Sequence, residues 1–144
     1  MTAFDKFPVI PYEGPNSKNP LAFKHYDANR VVMGKPMKNH LKFSLAWWHA
    51  MSATGADMFG PGTADKSYGE KPGTMAHAKA KVDQGFVFMQ KLGIEYFCFH
   101  DVDLVPEGDT LEETNRRLDE ITDYIKEKMK GTNIRCLWGT ANLF

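Results

Sequence analysis

The chain is poor in cysteine and carries no excess of either charge. Its 144 residues include only two cysteines, Cys98 and Cys136, which stand far apart without CxxC or metal-knuckle spacing. That excludes a disulfide framework and a zinc knuckle. Basic and acidic side chains number 18 each, so the basic footprint of a nucleic-acid binder is missing. No run approaches the ~18 apolar residues of a membrane span. The opening Met1-Thr-Ala-Phe-Asp-Lys-Phe7 lacks both the basic and the apolar region of a secretory signal. P-loop, GxSxG, GxGxxG and HExxH patterns are also absent. The expectation left standing is a single soluble domain in the reducing cytoplasm, with neither nucleic acid nor membrane as partner.

What is present supports a packed core. Hydrophobic residues make up 42% and a further 12 glycines bring the apolar share near half, ordinary for a globular chain. Residues 1–40 read as an irregular lead-in, because Val9-Ile-Pro-Tyr-Glu-Gly-Pro-Asn-Ser-Lys-Asn-Pro20 is dense in residues that break regular hydrogen bonding. A short helical turn is expected around 36–40. The bounded apolar run Phe43-Ser-Leu-Ala-Trp-Trp48 predicts a buried strand. Residues 54–74, with five glycines and two prolines, predict a long loop of the kind that usually has a job.

From there the pattern is regular. Thr74 is placed to cap a helix over 75–92, with Ala78, Val82, Phe86 and Met89 on one stripe and Gly93 as its stop. Residues 94–99 predict a second strand, ending at His100-Asp-Val-Asp103. Thr110 and Glu113 have capping-box spacing before a helix with Leu111, Leu118, Ile121, Ile125 and Met129 at helical intervals, which Gly131 ends. Its acidic start and its lysines at 126, 128 and 130 match the macrodipole. Residues 134–138 predict a third strand. Residues 41–144 therefore read as strand–helix–strand–helix–strand, an α/β chain with a parallel sheet. Three strands cannot close an eight-stranded barrel, which takes ~250 residues. Both cysteines fall in predicted buried strands and read as small hydrophobes.

In parallel α/β folds, functional groups gather where strands end. His100 ends an aromatic strand, and Asp103 lies near enough to accept its Nδ1 proton, leaving Nε2 for proton transfer near neutral pH. A second reading stays open, in which His100 is a satisfied structural histidine and Asp101 or Asp103 caps a turn. Trp48 and Trp138 read either as core or as the walls of a small-molecule pocket. Phe59, at the tip of a glycine-rich loop, either folds back on its own domain or inserts into a neighbour. His25, His40, His49 and His77 default to surface or helix-end roles. No set of clustered carboxylates suggests a divalent metal pair.

The segments Tyr12-Glu-Gly-Pro-Asn-Ser-Lys-Asn-Pro-Leu-Ala-Phe-Lys-His-Tyr26, Val32-Met-Gly-Lys35, Phe97-Cys-Phe-His-Asp101, Pro106-Glu-Gly-Asp-Thr-Leu111 and Trp138-Gly-Thr-Ala-Asn-Leu-Phe144 resemble the longer, class II xylose isomerases over nearly the whole chain. The resemblance implies part of a TIM barrel, about its first three strands. It also implies intramolecular aldose–ketose isomerisation of D-xylose to D-xylulose by ring opening and a hydride shift assisted by two divalent ions (Mg, Mn or Co). By motif, His100 would assist ring opening at O5, with Asp103 orienting it. Trp48, Trp138 and Phe144 would line the sugar pocket with Thr140 nearby, and Phe59 would reach the active site of an adjacent subunit. Met58 stands where the family more often has proline, which should loosen the loop tip.

The family's metal ligands and its carbonyl-polarising lysine have no counterpart here, so the expectation is a chain with no metal site and little activity alone. The companion expectation is a self-associating homo-oligomer. A domain-swapped dimer is one form, since a three-stranded sheet exposes both edges and 54–74 offers a hinge. Sugar binding without turnover is the third reading.

Overall fold

The computed structural model describes residues 2–142. Its first regular feature is a hairpin of two short strands, β1 (Val31–Val32) and β2 (Lys35–Pro36), paired antiparallel. Met33 and Gly34 between them both have positive φ, 48° and 77°, the backbone of a two-residue turn that follows strand twist. Helix α1 (Met37–His40) fills the place expected for a short turn.

Strand β3 is Ser44–Ala46, shorter than expected, because the backbone turns helical at Trp47. A π-helical turn, Trp48–Ser52, follows. The apolar run at 43–48 is therefore a strand leading straight into a helical turn, two states that a short hydrophobic stretch does not distinguish. Residues 54–74 form the expected loop and lead to α2 (Met75–Leu92). Thr74 Oγ1 accepts the His77 N–H at 3.2 Å, and Gly93 closes the helix in the left-handed conformation at φ 68°. Strand β4 is Tyr96–His100, followed at once by the one-turn helix α3 (Asp101–Leu104) and then by α4 (Leu111–Met129). Thr110 caps α4 through the Glu113 N–H at 3.1 Å. The reciprocal bond goes elsewhere, since Glu113 accepts from the Asp109 N–H and from Arg117. Strand β5 is Arg135–Thr140.

The strands form one parallel sheet in the order β3-β4-β5, so each pairs with its neighbour in sequence. Helices α2 and α4 cover one face. Between them and the sheet lie Trp47, Val82, Met89, Phe97, Leu104 and Ile121, each at most 1% exposed. The stripe expected on α2 is buried in full; on α4 only Ile121 and Ile125 are, and Leu111 is 76% exposed. The lead-in packs along α2. The Ala3 N–H donates to Gln84 Oε1, Phe4 meets Phe88 at 5.1 Å, and the Ile10 N–H reaches the Lys91 carbonyl.

One expectation about the cysteines is corrected. Cys98 is buried, but Cys136 is exposed, because β5 is an edge strand exposed along its whole length. Among the described residues no helix is long and apolar enough to cross a membrane.

Candidate functional site

The register of the sheet decides what gathers at the strand ends. Up to Phe97 the β4–β5 pairing runs in step, with Phe97 opposite Cys136; beyond it Cys98 lies opposite Trp138 and His100 opposite Thr140. Leu137 is the extra residue of a bulge. Side chains alternate along a strand, so a one-residue shift exchanges the two faces of everything that follows. The bulge thus puts Trp138 and Thr140 on the face of Cys98 and His100. Gly139 falls opposite Phe99, and a Cβ there would lie 2.6 Å from that ring.

On this face three rings meet. Trp48 lies 4.8 Å from the His100 ring and 5.6 Å from Trp138, and His100 meets Trp138 edge-on at 5.8 Å, centroid to centroid. Trp48 comes from the π-turn, His100 from the end of β4 and Trp138 from β5, so three successive strand ends contribute one side chain each. The core tryptophan is Trp47, with no exposed surface, while Trp48 is partly exposed and Trp138 is 41% exposed. Neither Trp48 nor Trp138 belongs to the buried core.

Asp103 takes up His100 from below. Its Oδ2 accepts the His100 backbone N–H at 2.9 Å and contacts Nδ1 at 3.1 Å. A carboxylate oxygen accepts, so in this contact Nδ1 is the donor. The Asp103 side chain is 10% exposed and that of His100 is 32% exposed, so a buried acceptor orients an imidazole that solvent and ligands can reach. The same bond to the His100 N–H makes Asp103 the cap of the α3 turn, while Asp101 accepts from the Val102 and Asn142 N–H groups, tying the residues after β5 to the end of β4.

Behind Asp103 stands a residue with no sequence motif. Lys81 of α2 is 8% exposed, and its ammonium donates to the Asp103 carbonyl at 2.8 Å and to Ser52 Oγ at 3.4 Å. Burial holds its pKa below the ordinary lysine range, against the opposing pull of the Asp103 carboxylate. One signal pointed to it: Lys81 sits three residues after Ala78 and one before Val82, inside the buried stripe, where an unpaired lysine is not tolerated.

Phe59 does not fold back. It is 89% exposed at the tip of a tight turn in which Asp57 and Gly60 exchange backbone hydrogen bonds and Asp57 Oδ1 accepts the Phe59 N–H. The base of its loop is anchored. Tyr68 donates to the Met51 carbonyl at 2.6 Å, Lys66 to the Ala50 carbonyl, and His77 Nε2 meets the Lys66 carbonyl. His40 contacts the Val32 carbonyl, so it and His77 take helix-end roles as expected. Thr140 is exposed opposite His100, and Phe144 lies outside the described residues. Among the described residues no three His, Cys, Asp or Glu side chains come together in a group that could hold a metal ion.

A run of parallel strand–helix units with polar and aromatic groups at the strand ends begins either an open, doubly wound sheet or a (β/α) barrel of the TIM type. Comparison with known proteins gives the family. The chain is 54% identical over 144 residues to the xylose isomerase of Thermotoga petrophila, and 50% identical over 145 residues to that of Tetragenococcus halophilus. It is also 53% identical over 135 residues, 94% of the chain, to that of Phocaeicola vulgatus. The chain belongs to the xylose isomerase family. It spans about a third of the length of these relatives, 32% of the first, 33% of the second and 31% of the third. No family model matches it.

Proposed function

We propose that this chain carries the ring-opening side of a site that isomerises D-xylose to D-xylulose. The observation that supports it is the His100–Asp103 pair, made through Nδ1, beside the rings of Trp48 and Trp138. Ring opening of a cyclic hemiacetal needs a proton taken from the anomeric hydroxyl and a proton given to the ring oxygen as the C1–O5 bond breaks. An imidazole, which can both accept and give a proton, performs both in turn. Asp103 holds the tautomer and stabilises the imidazolium between the two transfers. Indole faces pack against the C–H faces of a sugar and exclude water from the opening ring. Thr140, opposite His100 on the same face, adds a hydroxyl beside the imidazole.

Phe59 serves a second subunit in this proposal, since a held, exposed aromatic tip suits insertion into a neighbour. The two divalent ions of the resemblance, and the hydride shift they would assist, are assigned to none of the described residues, among which no three His, Cys, Asp or Glu side chains group together.

The test is complementation. The chain is expressed with the remaining two-thirds of the Thermotoga petrophila relative, and xylulose is measured with D-xylose and Mg²⁺, Mn²⁺ or Co²⁺. Metal-dependent turnover that falls in His100→Asn is expected. A well-folded assembly with no turnover, or one indifferent to His100, overturns the reading.

A second reading rests on a different observation: β5 is exposed along all six of its residues, Leu137 at 56%, and β3 and β5 are the two edges of the sheet. Alone, such a sheet pairs with a second copy of itself, by edge contact or by exchange of elements across the 54–74 loop. Light scattering on the chain is expected to show a dimer or larger species; a monomer at micromolar concentration contradicts it.

A further inference from the structure

The ammonium of Lys81 is costly to bury, and an apolar side chain of similar reach is free of that cost. What the lysine supplies is a donor to a backbone carbonyl at a junction of three elements: α2, which carries Lys81, the π-turn after β3, which carries Ser52, and α3, which carries Asp103. Ser52 Oγ also contacts the Asp103 carbonyl, at 3.4 Å, so the three groups close a triangle. Helix α3 has only four residues and little hydrogen bonding of its own to hold it. Its placement sets the Asp103 carboxylate, and that one oxygen receives both bonds from His100.

We infer that Lys81 is a positioning residue for the His100–Asp103 pair. By pinning the Asp103 carbonyl to Ser52, it holds the carboxylate where it fixes His100 as the Nδ1–H tautomer. The inference takes the purpose of the pair from the proposed function, but the pinning stands apart from any activity. Lys81 touches neither substrate nor the reacting imidazole; it acts through the backbone of its neighbour, as groups behind a ligating histidine commonly do.

The experiment reads the tautomer directly, by nitrogen NMR of the His100 ring in the 144-residue chain, with neither metal nor sugar present. The parent is expected to be predominantly Nδ1–H. Lys81→Met is expected to lose that predominance, with Nε2–H becoming the major form as in a free imidazole, while Lys81→Arg restores the parent pattern. An unchanged His100 tautomer in Lys81→Met overturns the inference. A second measurement on the parent needs no variant. The Lys81 ammonium should give a slowly exchanging resonance correlated through the hydrogen bond with the Asp103 carbonyl carbon, and a rapidly exchanging ammonium with no such correlation also overturns it. Failed complementation leaves both readouts unaffected, and their failure leaves the proposed reaction in place.

Discussion

Gly85 and Trp47 occupy adjoining halves of one space: a Cβ built on Gly85 would lie 2.6 Å from Cη2 of the Trp47 ring. The indole has no exposed surface and stands between α2 and the sheet, against Phe97 at 5.6 Å. The helix therefore comes as close to the strands as it does because residue 85 has no side chain. A rigid ring packed on every side cannot yield the room that a methyl group needs.

Gly85→Ala is accordingly expected to destabilise the chain, although alanine is the better helix former by ~1 kcal/mol. Overpacking of this kind costs ~1–3 kcal/mol and outweighs the propensity gain. Urea unfolding should show a lower midpoint at unchanged slope. A midpoint equal to the parent's would mean that the helix moves off the sheet without cost.

Asp103→Asn leaves the shape of the side chain but offers His100 an amide that can donate as well as accept. The imidazole then no longer faces a partner that can only accept, and Nδ1–H is no longer fixed. Loss of one positioned acid–base group is worth ~10²–10⁴ in rate. Xylulose formation by the complemented assembly is expected to fall by about 10²-fold at unchanged metal requirement. Rates within a factor of about 3 of the parent would reduce the pair to a structural contact.

The loop anchor gives a pH dependence. Burial, and next the Asp65 charge, push the Tyr68 phenol up from 10.0 to about 12. A folded-state value above the unfolded one means stability fully present below pH 10 and lost as pH rises toward 12. Compared with Tyr68→Phe, the parent's advantage should be constant near neutrality and smaller by roughly 1 kcal/mol at about pH 11. Paired unfolding curves at the two pH values measure it. A constant difference would show that the phenol titrates alike in both states.

Phe59→Ala separates fold from function. The side chain is 89% exposed, so unfolding free energy should change by less than ~0.5 kcal/mol. Turnover by the complemented assembly should nevertheless drop, with the loss concentrated in substrate binding and ring opening. Unchanged kinetics would leave the aromatic tip without a role in a neighbouring site.

The helices were legible because their ends are written locally: Thr74, Gly93 and Thr110 cap where the sequence places them. His100 and Asp103 were legible for the same reason, being three residues apart in one turn. The elements that depend on the far side of the fold were not. Trp47 and Trp48 are adjacent and chemically alike, and only the helical turn at the end of β3 sends one into the core and the other to the strand ends. The bulge at Leu137 has no mark of its own, since no glycine or proline flags it. Cys136 reads as buried from its β-rich surroundings, but burial of an edge strand depends on what pairs with it. Lys81 has no motif at all; its partners are a carbonyl and a hydroxyl 22 and 29 residues away.

The order of the sheet bears on how the chain acquires its shape. Because β3, β4 and β5 pair strictly in succession, each new strand meets a template that is already in place. A parallel sheet is ordinarily slow to form, since its contacts are distant in sequence. Here each strand pairs with the one made just before it, and each connection to be closed carries one long helix, α2 or α4. During synthesis, when residues emerge at ~5–20 per second, the His100 end of β4 can settle on β3 before β5 exists. Trp138 then arrives beside a His100 ring already in place.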